Sequence, residues 1–143
     1  MTNIYKDILK AKSENTKLLA ILLDPDKVVL ENLSVLISKI NHSPATHIFI
    51  GGSLVTNNIL DELIVQIKQN CDLPIVLFPG NPSQISDKGD AILFLSLISG
   101  RNPDYLIEHQ VNAVPILKQT DLEVISTGYI LIESGNETAV ERV

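Results

Sequence analysis

Leu18-Leu19-Ala20-Ile21-Leu22-Leu23-Asp24-Pro25-Asp26 is the stretch that decides the fold. Six apolar residues without alternation suit a strand covered on both faces, and Asp-Pro-Asp stops it abruptly. From Val28 to Ile40, Val29, Leu33, Leu36, Ile37 and Ile40 recur at steps of three and four, which predicts a helix with one buried stripe. Strand, turn and helix make one βα unit.

The same unit repeats along the chain. His47-Ile48-Phe49-Ile50 reads as a second strand stopped by Gly51-Gly52-Ser53, and Ile59, Leu60, Leu63, Ile64 and Ile67 form the stripe of the next helix. Pro74-Ile75-Val76-Leu77-Phe78 is a third strand, ended by Pro79-Gly80-Asn81-Pro82, with room only for a helical turn around Ser83 to Ser86. Ala91 to Leu95 is a fourth. Asn102-Pro103-Asp104 then supplies an N-cap and a proline at the first helical position, for a helix running to about Lys118 with a kink expected at Pro115. A fifth strand falls within Val124 to Ile132, centred on Tyr129-Ile130-Leu131-Ile132, before Glu133-Ser134-Gly135.

Five parallel strands fit either an open doubly wound sheet or the first part of an eight-stranded barrel. An eight-unit barrel takes about 250 residues, so length alone favours the open sheet for 143 residues. No low-complexity tract or linker divides the chain, which reads as a single domain over residues 1–143.

Composition narrows the class. At 45% apolar residues the chain can bury a sizeable core, and no apolar run reaches the roughly eighteen residues that would cross a bilayer. The start, Met1 to Lys6, lacks a signal-peptide core, so cytoplasmic localisation is expected. Cys71 is the single cysteine, which excludes an internal disulfide and a Cys-based zinc site. A net charge of -6, from 17 acidic and 11 basic residues, argues against nucleic acid as a partner.

In both architectures chemistry gathers at the C-terminal ends of the strands. Those positions hold Asp24, Gly51-Gly52-Ser53, Pro79-Gly80-Asn81, Ser96, Ser99-Gly100 and Glu133. A carboxylate and a hydroxyl on neighbouring strands can share magnesium, which keeps waters and takes further ligands from substrate phosphate. The bland alternative is that Asp24, Asp26 and Ser53 cap the helices that follow, and spacing alone favours it. His42, His47 and His109 lack metal-ligand spacing, and Tyr105 and Tyr129 read as packing residues.

Six segments in one order carry a resemblance: Ile21-Leu22-Leu23-Asp24-Pro25-Asp26-Lys27, Ile48-Phe49-Ile50-Gly51-Gly52-Ser53, Pro74-Ile75-Val76-Leu77-Phe78-Pro79-Gly80-Asn81, Ala91-Ile92-Leu93-Phe94-Leu95-Ser96-Leu97, Asn102-Pro103-Asp104-Tyr105-Leu106-Ile107 and Gly128-Tyr129-Ile130-Leu131-Ile132-Glu133. Together they resemble geranylgeranylglyceryl phosphate synthases, nearer the archaeal-type branch than the heptaprenyl-using bacterial one. The resemblance implies a (β/α)8 TIM barrel, of which these residues supply about the first five βα units and lack strands six to eight. It implies a prenyltransferase that joins sn-glycerol 1-phosphate to a polyprenyl diphosphate, geranylgeranyl by analogy, releases diphosphate and forms an ether-lipid precursor. Mg2+ is the implied cofactor, with Asp24 and Ser53 at the two positions that match its ligands. The family's phosphate-binding and catalytic residues match nothing here and are expected beyond Val143, so these residues alone are expected to be inactive. A homo-oligomer is also expected, as are transient contact with a membrane surface through the lipid product and an apolar groove that Phe78 and Leu97 help line, although Phe78 reads at least as well as ordinary core.

The rival reading is a non-enzymatic five-stranded α/β module, or a truncated paralogue used for association. An uncovered apolar sheet edge would need a partner in that case.

Overall fold

The structure, a computed structural model, describes residues 3–52 and 59–132. In chain order its elements are α1 (Ile4–Ser13), β1 (Ala20–Leu23), α2 (Leu33–Asn41), β2 (His47–Ile50), α3 (Leu60–Lys68), β3 (Ile75–Leu77), β4 (Ala91–Leu97), α4 (His109–Leu117) and β5 (Glu123–Tyr129). Single 3-10 turns at Leu30–Asn32 and Pro82–Gln84 and a wide π turn at Asp104–Glu108 lie between them.

Every strand pairs parallel with its sequence neighbour, giving the order β1-β2-β3-β4-β5. The register places Leu23 beside Ile50, Ile50 beside Leu77 and Leu77 beside Ile92. Because side chains alternate along a strand, this register sorts the sheet into two faces. One face carries Ile21, Leu23, Ile48, Ile50, Ile75, Leu77 and Ile92, and α2, α3 and α4 cover it through Leu33, Ile37, Ile40, Leu63, Ile64, Ile67, Ala113 and Leu117. The other face carries Phe49, Val76, Ala91, Leu93 and Ile125, against which α1 sets Ile4 and Ile8. Each fully buried Ile or Leu contributes about 1.5–3 kcal/mol of transfer free energy, so the helix-covered face holds most of the driving force for folding.

A doubly wound sheet would reverse its strand order and place crossover helices on both faces. Sequential order with the crossover helices on one face is the arrangement of consecutive units in a (β/α)8 barrel. The preference that length alone gave to the open sheet is therefore set aside.

Three sequence readings change. Residues 4–13 form a helix that the pattern analysis did not assign: Ile4, Ile8 and Ala11 share one face, Asn3 Oδ1 accepts from Lys6 N–H at 3.0 Å, and Asn15 closes the turn beyond the helix at a left-handed φ of 54°. The helix read from Val28 begins at Leu33 instead, because Val29, β-branched beside another valine, lies extended. The fifth strand runs over Glu123–Tyr129 and ends where its apolar centre was placed. Its register is set from the other end by Glu123 N–H donating to the Asp90 carbonyl at 3.1 Å, and Ile132 is left 82% exposed.

Among the described residues no helix is long and apolar enough to cross a membrane.

Candidate functional site

Asp24 directly follows β1, where the chain must turn off the sheet. Its carbonyl accepts from Lys27 N–H at 2.9 Å and Val28 N–H at 3.1 Å, while its Oδ1 accepts from Asp26 N–H at 3.1 Å. This is an Asx turn rather than a helix cap. The capping alternative for Asp24 is thus corrected: α2 starts after Asn32, eight positions along the chain. Lys27 Nζ sits 2.9 Å from Asp24 Oδ2, but that lysine side chain is 81% exposed, so the pair is solvent-screened and easily parted.

Gly51 and Gly52 follow β2 and are glycines for reasons of space. A Cβ on Gly51 would lie 1.9 Å from the Phe78 carbonyl oxygen, and one on Gly52 would lie 2.9 Å from Asp24 Oδ1 and 3.1 Å from its Cγ. Both sites are therefore close approaches of backbone, one to the end of β3 and the other to the Asp24 carboxylate. Ser53 lies outside the described residues, as does Glu133. The structure brings Asp24 against Gly52, the residue that immediately precedes Ser53 in the chain.

The turn after β3 completes this rim. Asn81 Oδ1 accepts from Ser83 N–H at 2.8 Å, and Pro82 enters a 3-10 turn that carries Gln84 inward. Gln84 is only 3% exposed. Its Oε1 accepts from Gly80 N–H at 3.1 Å and from Gly52 N–H at 3.4 Å, and its Nε2 donates to the Gly52 carbonyl at 2.9 Å. Two residues along, Ser86 Oγ donates to Asp61 Oδ1 at 2.5 Å. No sequence signal marked Gln84, since a glutamine in a polar turn has no motif of its own.

Beside the glycine pair opens a cavity of about 250 Å³, lined largely by apolar groups from the ends of β3, β4 and β5 and from the first turns after Asn102. Phe78 and Leu97, singled out from sequence as groove residues, both line it, with Leu22, Phe94, Tyr105 and Tyr129. Phe78 stands at the centre of an edge-to-face ring series, 6.1 Å from Phe49 and 5.8 Å from Tyr129, while Tyr105 stacks edgewise on His109 at 4.8 Å. Both tyrosines pack, as read from sequence. Asn102 Oδ1 accepts from Asp104 N–H at 3.0 Å, which bears out the N-cap. A π turn follows at Asp104–Glu108, and from the first turn of α4 Gln110 reaches across to the Leu95 carbonyl and to Ser96 Oγ; Pro115 lies inside α4. Gln110 Oε1 is buried and has no hydrogen-bond partner among the described residues.

The donor set suits a hard cation of sparse protein ligation. Among the described residues no three His, Cys, Asp or Glu side chains cluster, so nothing there resembles a zinc cage. The Asp24 carboxylate keeps lone pairs beyond those used by Asp26 N–H and Lys27, which fits an ion that takes its remaining ligands from water and phosphate.

The chain has close relatives in sequence and in solved structures. The chain is 71% identical over 143 residues to a geranylgeranylglyceryl phosphate synthase of Flavobacterium johnsoniae and 50% identical to one of Zunongwangia profunda, matching 59% and 61% of their lengths. It superposes with a TM-score of 0.89, at 30% identity, on the crystal structure of (S)-3-O-geranylgeranylglyceryl phosphate synthase from Thermoplasma acidophilum in complex with sn-glycerol-1-phosphate. That match covers 99% of this chain and 57% of the solved one, so the chain spans somewhat over half the length of the proteins it resembles. With residues 7–143 also matched by the family's own model, the chain belongs to the PcrB family.

Proposed function

We propose that these residues are the metal-binding and prenyl-binding part of a prenyltransferase that joins sn-glycerol 1-phosphate to geranylgeranyl diphosphate and releases diphosphate. The observation that carries this reading is the glycine pair. A Cβ on Gly52 would run into the Asp24 carboxylate, and Gly51 and Gly52 also line the apolar cavity, so a charged site and a greasy one share a boundary. A polyprenyl diphosphate has that same division, a charged head on an apolar tail. The names of the relatives and the sn-glycerol-1-phosphate in the Thermoplasma structure point to the same substrates.

Asp24, with Ser53, would hold Mg2+. When bound, that ion neutralises charge on the leaving diphosphate as a Lewis acid. The residues of this chain do the positioning. Asp24 is fixed by its Asx turn at the end of β1, so its carboxylate is ordered before any ligand arrives. Phe78, Leu97, Tyr105 and Tyr129 give the tail an apolar bed that keeps water from the carbon that is attacked. The glycerol phosphate clamp and the proton acceptor belong, on this reading, to the part of the relatives that the chain does not match. The lipid product gives the protein reason to touch a membrane surface, and the cytoplasm is the compartment this reading assigns to it.

The full-length protein, supplied with sn-glycerol 1-phosphate, geranylgeranyl diphosphate and Mg2+, should release diphosphate and form one ether product, and chelation should stop both. Absence of product with Mg2+ present would favour the association module instead. Ser53→Ala should raise the Mg2+ concentration needed, by less than loss of the Asp24 charge, because water can replace a neutral hydroxyl ligand.

A further inference from the structure

We infer that Gln84 is a positioning residue for the Asp24 site: by fixing where Gly52 lies against the Asp24 carboxylate, it sets the affinity for a divalent cation. The inference rests on the reading that Asp24 holds the metal, and adds a residue that no motif pointed to.

Gln84 uses both ends of its amide on the rim. One oxygen accepts from the amides of two different strand-end turns, Gly52 after β2 and Gly80 after β3, and the nitrogen returns a bond to the Gly52 carbonyl. Gly52 is therefore gripped at both its N–H and its carbonyl, so it can neither rotate its peptide nor drift without breaking a bond that is nearly closed to water. Gly52 also passes close to Asp24, with less than a methyl group's clearance to both Oδ1 and Cγ at its Cβ position. Asp24 is itself held from behind by its own turn. Gly52 is thus the wall that limits how the carboxylate can lie, and Gln84 is what holds the wall. The bond orientation is also self-consistent: flipping the amide would set its nitrogen against two N–H donors.

A merely structural brace would lower stability when lost and leave cation affinity alone. Groups that orient a metal ligand typically change affinity by about 10–100-fold when removed. The test uses the full-length protein, titrated calorimetrically with Mg2+ in the presence of inorganic diphosphate, alongside thermal unfolding. Gln84→Met keeps the volume and removes all three bonds. It should weaken Mg2+ binding about tenfold or more at a temperature where the variant is fully folded. Gln84→Glu keeps an acceptor for Gly52 and Gly80 but loses the donor to the Gly52 carbonyl, and should fall between Gln84→Met and the parent. Folded Gln84→Met, or folded Gln84→Glu if the first does not fold, binding Mg2+ as the parent does would overturn the inference. Failure of both to fold would do the same by returning Gln84 to a structural role. Asp24→Asn, titrated in parallel, separates the two readings. If it too binds normally, the metal site itself is misplaced; if it alone loses affinity, only the positioning role falls.

Discussion

The two ends of the sheet use carboxylates in opposite ways. At the N-terminal end, Glu123 accepts from Ile4 N–H at 2.6 Å and Tyr5 N–H at 3.0 Å, satisfying first-turn amides of α1 that have no partner within the helix. Beside it, Asp90 Oδ2 accepts from Ile75 N–H at 2.8 Å and its Oδ1 pairs with Lys68 at 2.6 Å. Glu123 is committed to backbone, and Asp90 to backbone and to a cation of the same molecule. At the C-terminal end Asp24 holds one turn amide and one solvent-exposed lysine, and it faces a glycine kept small. A carboxylate that ties two elements together has little left for a ligand, whereas one held only by its own turn is ordered and still available. Barrels divide stability and chemistry between their two ends in this way.

The sharpest way to break the contrast is Asp24→Asn in the full-length protein. Asn preserves an Asx turn, so stability should move by about 1 kcal/mol or less, while loss of the charge should cost several kcal/mol in Mg2+-dependent turnover. Turnover against Mg2+ concentration, with thermal unfolding beside it, reads both. Next in size is Gly51→Ala, where the added methyl meets the Phe78 carbonyl and the backbone must move. A loss of about 3 kcal/mol in stability is expected from denaturant unfolding. Glu123→Gln should cost about 1 kcal/mol by weakening its charged bonds to α1, with Mg2+ dependence unchanged. If Mg2+ dependence shifts in that variant, the division between the two ends fails.

The smallest effect concerns His47, the first residue of β2. Burial holds its ring below the ordinary value of 6.5, with the nearby Asp7 charge opposing the shift. The unfolded chain therefore takes up a proton at a higher pH than the folded one. This contribution to stability is full above about pH 6.5 and declines as pH falls from there towards the lowered folded value. His47→Gln should remove that part of the slope, seen by comparing unfolding midpoints of the two proteins across pH 5–7.5.

Much of the fold was legible because buried parallel strands are continuous apolar runs. His47–Ile50 was bounded to the residue, and the stripe Leu63, Ile64 and Ile67 is the fully buried face of α3. The fifth strand misled because the apolar density of Ile130 to Ile132 lies past the point where β4 stops offering partners, at Leu97 beside Tyr129. Helix α1 escaped because only Ile4, Ile8 and Ala11 face the core, a signal too short to rise above its polar neighbours. At the strand ends, the place of Asp24 after β1 was legible from the Asp-Pro-Asp stop, while spacing alone favoured a cap and only the family resemblance suggested a metal role. Gln84 was not legible, because its role depends on two turns, after β2 and β3, that approach each other only once the strands pair.

The central claim is that Asp24 is a carboxylate kept available for a cation at the C-terminal end of the sheet. The most direct measurement is a crystal structure of the full-length protein with Mg2+ and diphosphate. The account predicts a carboxylate oxygen of Asp24 at about 2.0–2.1 Å from the ion, with Lys27 displaced from it. An ion bound elsewhere, with the Asp24–Lys27 pair intact, would contradict it.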